Sequence, residues 1–516
     1  MATSTAAEAA DTGAPVRGGP ITMGIYAEPD FLTNAYSSAG PPLFVSTKVF
    51  DGLLNYDAQF KPQPGLATSW ETRGDGLAIT LHLRQGVKWH DGKPFTSSDV
   101  AWTLLNVWKT LHPQGRTTFA NVTSVDTPDA HTVVLHVSEP SPYILNGLHA
   151  AVAQVLPKHL YEGRDVMTNP VNNAPVGTGP FRFKQWQRGS FVELERNPAY
   201  WQAGLPYLDT LYFRFYPDTA AASAALQTDA IQLGTNEIFP QIDLERLGKL
   251  PNLRLVSGDS PLTAMALNLD FNLDRPVFKD VRVRQAIYHA IDPNFIVKNI
   301  YFGFAKPAYA PLPDSLPQFF TNDVARYPYD LDTANALLDA AGFKRGAGGV
   351  RFDLTLDSNP KPAMMQVSQY LRAALSRVGI RVTLQPEDFG TYVKRIYTDR
   401  TFDLGLVLGN VGPDPVIGIQ RFYASSSFKP GVPFSNGDHY MNPEVDRLLK
   451  AGATQTDPAK RRDTYVAFQQ IVQKDLPRLP LVSLVLSVLY DKRLHNLNDI
   501  VTAYYGNFAT VYRAAA

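Results

Sequence analysis

The chain has 516 residues, 44% hydrophobic and 19% charged, which is enough for roughly three ordinary domains and too apolar for a disordered protein. Its 48 basic and 48 acidic side chains cancel and form no long basic run, which excludes the electrostatic footprint of a nucleic-acid binder. It contains no cysteine, so thiol catalysis, disulfides and thiolate metal sites are excluded together, as suits a chain that meets an oxidising compartment.

Residues 1–17 are small, polar and Ala-rich and read as a disordered leader, without the basic start and apolar stretch of a signal peptide. Strand-like apolar runs occupy 20–26 and 49–56, separated by a loop from Glu28 to Pro42. From Gly65 the text turns β-rich. Leu77, Ile79, Leu81 and Leu83 alternate on one face behind an Asp75-Gly76 turn, 131–137 reads the same way, and two strands flank a turn at Arg188-Gly189. A strand at 208–216, a helix at 218–227 and a short strand at 230–234 follow.

After about residue 263 helices and strands alternate. Helices are expected at 282–291 and 331–342, the second ended by Gly342, then a strand 352–356, a helix 363–378, a strand 381–385, a helix 389–398 and a strand 403–408. Met364, Val367, Leu371, Leu375 and Val378 form one apolar stripe at helical spacing. This rhythm implies βαβ crossovers and hence an α/β fold with mixed sheets. Asp457-Pro458 opens a long helix to about Lys474, and the final strands run from 479 to about 513. The longest apolar run, 479–490, falls far short of the roughly 20 residues that cross a bilayer.

The stretch VKWHDGKPFTSSDV (87–100) sets Trp89, His90 and Asp91 side by side and looks catalytic. Asp91-Gly92 is a turn signal, however, and Thr96 with Asp99 forms a capping box ahead of a helix whose apolar stripe is Val100, Leu104, Val107, Trp108 and Leu111. His90 has no partner at metal-ligand spacing, so the stretch reads as scaffold. No Walker-type loop, G-x-S-x-G elbow or H-E-x-x-H motif is present. The glycines of VGTGPF (176–181) open a strand rather than a helix, which argues against a phosphate cradle. A large chain with two differently built halves and no catalytic motif favours a ligand held between lobes over a reaction.

Five segments together carry a resemblance: VFDGLLNYDAQFKPQPGLATSWE, DGLAITLHLRQGVKWHDGKPFTSSDV, PVGTGPF, LERNPAYW and DVRVRQAIYHAID. In this order they resemble the extracytoplasmic solute-binding proteins of ABC importers, in the large subgroup of oligopeptide-, dipeptide- and nickel-binding proteins. The resemblance runs from about Gly18 to about residue 500. It implies a two-lobed periplasmic-binding-protein-like fold with an additional inserted domain. The core of the first lobe would take 18–50, 176–262 and 477–516, the inserted domain 51–175, and the second lobe 263–476, with crossings near 263–268 and 476–479.

The resemblance also implies a function: capture of a small solute, peptide or peptide-like or a non-peptide conjugate, and delivery to membrane permease subunits by a monomer in the periplasm or another extracytoplasmic space. No catalytic residue, metal or cofactor is implied. Ligand contacts would come from the loop 36–41 with Tyr36, Ser38 and Gly40, and from the loop 409–415 with Gly409, Asn410, Val411 and Asp414. Phe119 of the inserted domain and the loop of Asn359 and Lys361 would complete the walls. Peptide-binding members place an aspartate four residues before the proline of the second loop to hold the ligand's α-ammonium. Counting back from Pro415 gives Val411, or Asn410 with a one-residue shift. Neither is an acid, and a buried ammonium without a counter-charge costs several kcal/mol. Asp414 is the alternative anchor. The rival reading is a secreted hydrolase with a carboxylate pair in the cleft.

Overall fold

The computed structural model describes residues 15–57, 60–262, 264–497 and 500–514. Residues 1–14 of the expected leader, and Thr263 at the expected crossing, lie outside the described residues. Arg17 is anchored: it donates to the Gly204 carbonyl at 2.6 Å and lies over the Tyr207 ring.

Three sheets organise the chain. The first strand, β1 (Pro20–Ile25), belongs to a seven-stranded sheet. A four-stranded antiparallel sheet follows, made of β2 (Ala67–Thr72), β3 (Ala78–Leu83), β4 (Val122–Asp129) and β5 (Thr132–Val137) in the order β2-β3-β5-β4. The chain then returns to the first sheet through β6 (Phe181–Gln187), β7 (Phe191–Arg196), β8 (Thr210–Phe215), β9 (Leu233–Thr235) and β10 (Leu253–Gly258). A six-stranded sheet takes β11 (Met265–Phe271), β12 (Ala305–Pro307), β13 (Phe352–Ser358), β14 (Ile380–Pro386), β15 (Leu404–Asn410) and β16 (Arg478–Leu484), and β17 (Leu486–Asp491) rejoins the first. The orders are β10-β17-β9-β1-β8-β7-β6 and β12-β16-β11-β15-β13-β14. Each large sheet mixes parallel and antiparallel pairs, and the result is a two-lobed α/β protein with separate cores.

The lobes are joined by two short crossings, between β10 and β11 and at Val485 between β16 and β17. The segment 477–516 was expected in the first lobe. Its first strand, β16, pairs instead with β11 and β12 in the second-lobe sheet, because the chain must complete that sheet before it can leave it.

Two elements differ from the sequence reading. Gly40–Val49 is a helix begun by Pro41 and Pro42, where a loop and a strand were expected. Every residue from Pro42 to Val49 is buried, so the helix has no polar face and shows no 3.6-residue period. Ile500–Tyr505 is also helical within the expected terminal strands. The helix Pro443–Thr454, capped by Asn442, went unread.

The stretch 87–100 is scaffold, and its role is specific. The His90 Nε2–H donates to the Gly179 carbonyl at 3.0 Å, and its Nδ1 accepts from the Gly177 N–H at 3.2 Å. Gly177 and Gly179 in turn lie so close to the end of the Gly40–Val49 helix that a Cβ at either would fall 1.9 Å and 2.6 Å from the carbonyls of Val49 and Lys48. His90 therefore clamps the VGTGPF turn onto that helix. In the following cap, Asp99 accepts from the Thr96 N–H at 2.9 Å, the Thr96 hydroxyl at 3.3 Å and the Lys158 N–H at 2.9 Å.

Asp99→Ala should therefore cost about 2 kcal/mol, more than the about 1 kcal/mol of Thr96→Ala, because it strands the larger set of donors; thermal unfolding measures both. A pH dependence follows as well. Burial pushes His90, His112 and His149 down to about 4, and each Nδ1 accepts a backbone N–H, from Gly177, Gly115 and Ala151. The unfolded chain takes up protons below about 6.5 that the folded chain refuses. Stability should fall as pH drops from about 6.5 to about 4, by about 1–3 kcal/mol per histidine. Guanidinium unfolding at pH 7.5 and 5 tests this, with a smaller dependence expected for His149→Asn.

Candidate functional site

In open α/β sheets ligands gather at the carboxyl ends of parallel strands. In the first lobe β1 and β9 run parallel, and Tyr26 follows one while Asn236 and Glu237 follow the other. In the second lobe β13 and β15 run parallel, followed by the loops of Asn359 and Lys361 and of 411–414. The two lobes touch beside these loops: Asn146 of the inserted domain donates to Asp414 at 3.1 Å, and Lys450 is ion-paired with Glu139. Lys361 lies close enough to Glu237 to act on its charge. The helix Pro415–Gly418 lies against Gly115–Thr118, with the Ile417 methyl 3.7 Å from where a Cβ on Gly147 would stand.

The residues expected in the site divide into three groups. Tyr36 is buried against Phe31, with ring centroids 5.0 Å apart, and burial pushes its hydroxyl up to about 12. Ser38 is exposed, and Gly40 begins the first helix. A Cβ at Gly40 would sit 2.6 Å from the Tyr26 hydroxyl, so the glycine makes room for that tyrosine. The loop is held from below by Asn34, which donates to the carbonyls of Ser37 and Ala39 at 3.2 and 3.0 Å.

In the second lobe, Asn359 is half-buried and Lys361 is exposed. Gly409 is buried close to Phe422, and the Asn410 side chain turns back to accept from the Gly412 N–H at 2.7 Å.

Three expectations need correction. Phe119 is fully buried and stacked on Trp108 at 5.3 Å; it is core of the inserted domain and offers no wall. The Val411 side chain belongs to an apolar cluster with Ala264, Leu312 and Phe422 rather than to a pocket. Asp414 is fully buried and fully engaged. It accepts from both Arg461 terminal nitrogens at 2.8 Å, from Asn146, and from the Val416 N–H at 3.1 Å as a helix cap. No lone pair is left for a ligand's ammonium.

The acid that does face the gap is Glu237, which sequence reasoning missed. It is exposed, yet ringed so closely by protein that lost solvation pushes it up to about 7. Tyr26, Tyr504 and Tyr505 lie near enough to feel its charge. Its turn is fixed by Asn236, which accepts from the Tyr504 hydroxyl at 2.6 Å and the Ser487 N–H at 3.1 Å. The signal that could have found it is its place directly after a short central strand. Tyr505 also lines a pocket of about 280 Å³ with Asp51, Asn55, Tyr56 and His149, whose walls all come from the first lobe. The carboxylate there is committed to Thr178, Tyr200, Trp201 and Asn507, so this pocket is not the inter-lobe site.

Residues 61–430 match the model of the bacterial extracellular solute-binding proteins, family 5. The chain belongs to this family. It is 30% identical to the glutathione-binding protein GsiB of Pectobacterium atrosepticum over 445 residues, covering 84% of this chain and 82% of that one. Among solved structures it is similar to the oligopeptide-binding protein AppA of Bacillus subtilis in complex with a nonapeptide, at 26% identity and a TM-score of 0.80 over 97% and 100% of the two chains. NikZ of Campylobacter jejuni in complex with Ni(L-His) is similar at 25% identity and a TM-score of 0.78, over 93% and 95%.

The family binds solutes and is not a family of enzymes. A buried carboxylate pair exists, Asp270 with Asp438, but it is sealed with Arg478 inside the second lobe, at 3% and 2% exposure. No group of three or more metal-ligating side chains occurs among the described residues, and none of their helices is long and apolar enough to cross a membrane.

For this family 5 protein the corrected loop makes a sharp forecast. Arg461→Ala should destabilise by about 3–5 kcal/mol, because it leaves the Asp414 carboxylate buried and unpaired. Val411→Asp, at one of the two positions that the resemblance aligns with the peptide binders' acid, should instead bury a charge in an apolar cluster and lose several kcal/mol. Urea unfolding of both variants checks this.

Proposed function

We propose that the protein is the extracytoplasmic receptor of an ABC importer, capturing a peptide or peptide-like solute between its lobes and presenting it to membrane permease subunits. The observation that carries the reading is that two lobes, linked by two short crossings, touch through Asn146 with Asp414 and Glu139 with Lys450. That connection lets the lobes part and close, and a ligand touching both lobes shifts the balance toward the closed arrangement. The contacts of Asn146 with Asp414 and of Glu139 with Lys450 exist only with the lobes together, so they define a closed state for the ligand to stabilise.

Relatives support the chemistry. One is named for oligopeptides, one for glutathione, and one was solved with a nickel–histidine complex; amino-acid-derived solutes are common to all three. We also propose the division into a first-lobe core, an inserted domain over 51–175 and a second lobe, with the last crossing moved to Val485.

Mass spectrometry of the small molecules released on denaturing the protein from its own bacterial host should show a peptide or amino-acid conjugate. Calorimetry with that compound should give one site per chain. Product release from peptide, ester or glycoside libraries would overturn the receptor reading.

A further inference from the structure

We infer that Glu237, with Tyr26, Tyr504 and Tyr505 about it, forms a subsite for a cationic group of the ligand, an ammonium or a guanidinium. The inference rests on the receptor reading and adds a charge requirement to it. Glu237 projects from the turn after β9, on the same sheet end as Tyr26 after β1. It is exposed, while the Asn236 beside it is locked by Tyr504 and Ser487, so the carboxylate stands on a rigid base.

The aromatic surround is built. Tyr504 and Tyr505 meet edge to face at 5.7 Å, Phe44 lies 5.7 Å from Tyr504, and Tyr26 meets Phe44 at 6.5 Å. Tyr26 and Tyr505 keep part of their surface open. A carboxylate among tyrosine rings suits a cation twice over, through the ion pair and through the ring faces.

The Thr235 hydroxyl is fully buried and lies beside the Glu237 carboxylate, on the short strand that carries the turn. Glu237 has no ion pair among the described residues. Lys361 of the second lobe acts on it only at a distance, and Tyr26, Tyr504 and Tyr505 feel its charge. With Asp414 committed to Arg461 and Val411 in an apolar cluster, the cation is met from the first lobe rather than from the second.

Two pairs of probes test this by calorimetry on the wild type and Glu237→Gln: tri-alanine with N-acetyl-tri-alanine, and N-acetyl-Ala-Lys-Ala-amide with its norleucine analogue. The charged member of at least one pair should bind about tenfold tighter or more to the wild type. Glu237→Gln should erase that preference and leave the neutral member within about twofold. The lysine probe stays charged from pH 8 to pH 6, so its preference should weaken over that range as Glu237 gains a proton, and should not do so in the variant. Neutral and charged members binding alike, or a preference surviving Glu237→Gln, would overturn the cation subsite alone. Failure of all four probes to bind would count against the peptide-like reading and the subsite together. An unchanged melting temperature for Glu237→Gln excludes misfolding as the cause.

Discussion

The ion pair of Asp414 with Arg461 is the contact on which the arrangement of the second lobe's rim depends. It caps the helix Pro415–Gly418, ties it to the long helix Pro458–Asp475 and receives Asn146 from the other lobe. A bidentate guanidinium with two further donors fills the carboxylate's lone pairs, the condition under which a buried charge is tolerated. Because that acid is spent on structure, it cannot serve the ligand. The carboxylate we infer to meet a cationic ligand group is instead Glu237, exposed on the first lobe.

The same economy of polar groups runs through the first lobe. His90, His112 and His149 are held neutral by burial, and each Nδ1 accepts a backbone N–H. Lys48 is fully buried beside the Thr47 hydroxyl and the Tyr504 carbonyl, with its ammonium over the Phe508 ring, and burial pushes it down to about 7. Of these groups, His90 ties the inserted domain to the turn at Gly177 and Gly179, and Lys48 ties the first helix to the C-terminal segment. The two family-like segments around His90 and Gly177 prove to be two halves of one clamp. Their resemblance to relatives is a resemblance of scaffold, which explains why it identifies the family and says little about the ligand.

Much of the architecture was legible in the chain. The period-two strands around Ile79 and Val133, the 3.6-residue stripe from Met364 to Leu375 and the cap at Asp457 all fold as their patterns require, because half-buried elements carry their own record of inside and outside. The helix Gly40–Val49 and the strand β16 carry no such record. One is buried all round and the other is buried almost throughout, so apolar text alone cannot say helix or strand, nor which sheet a strand joins.

The site divides along the same line. By itself the sequence determined the fold class, the family and the absence of an acid at Val411 and Asn410, since these rest on residue identity and spacing. It could not determine that Phe119 and Val411 point into cores, that Arg461, 47 residues beyond Asp414, neutralises it, or that Glu237 stands open beside Tyr26, Tyr504 and Tyr505. Those facts depend on distances between residues from tens to hundreds of positions apart. A carboxylate's role is set by which cation the folded chain brings to it, and only the tertiary structure decides that.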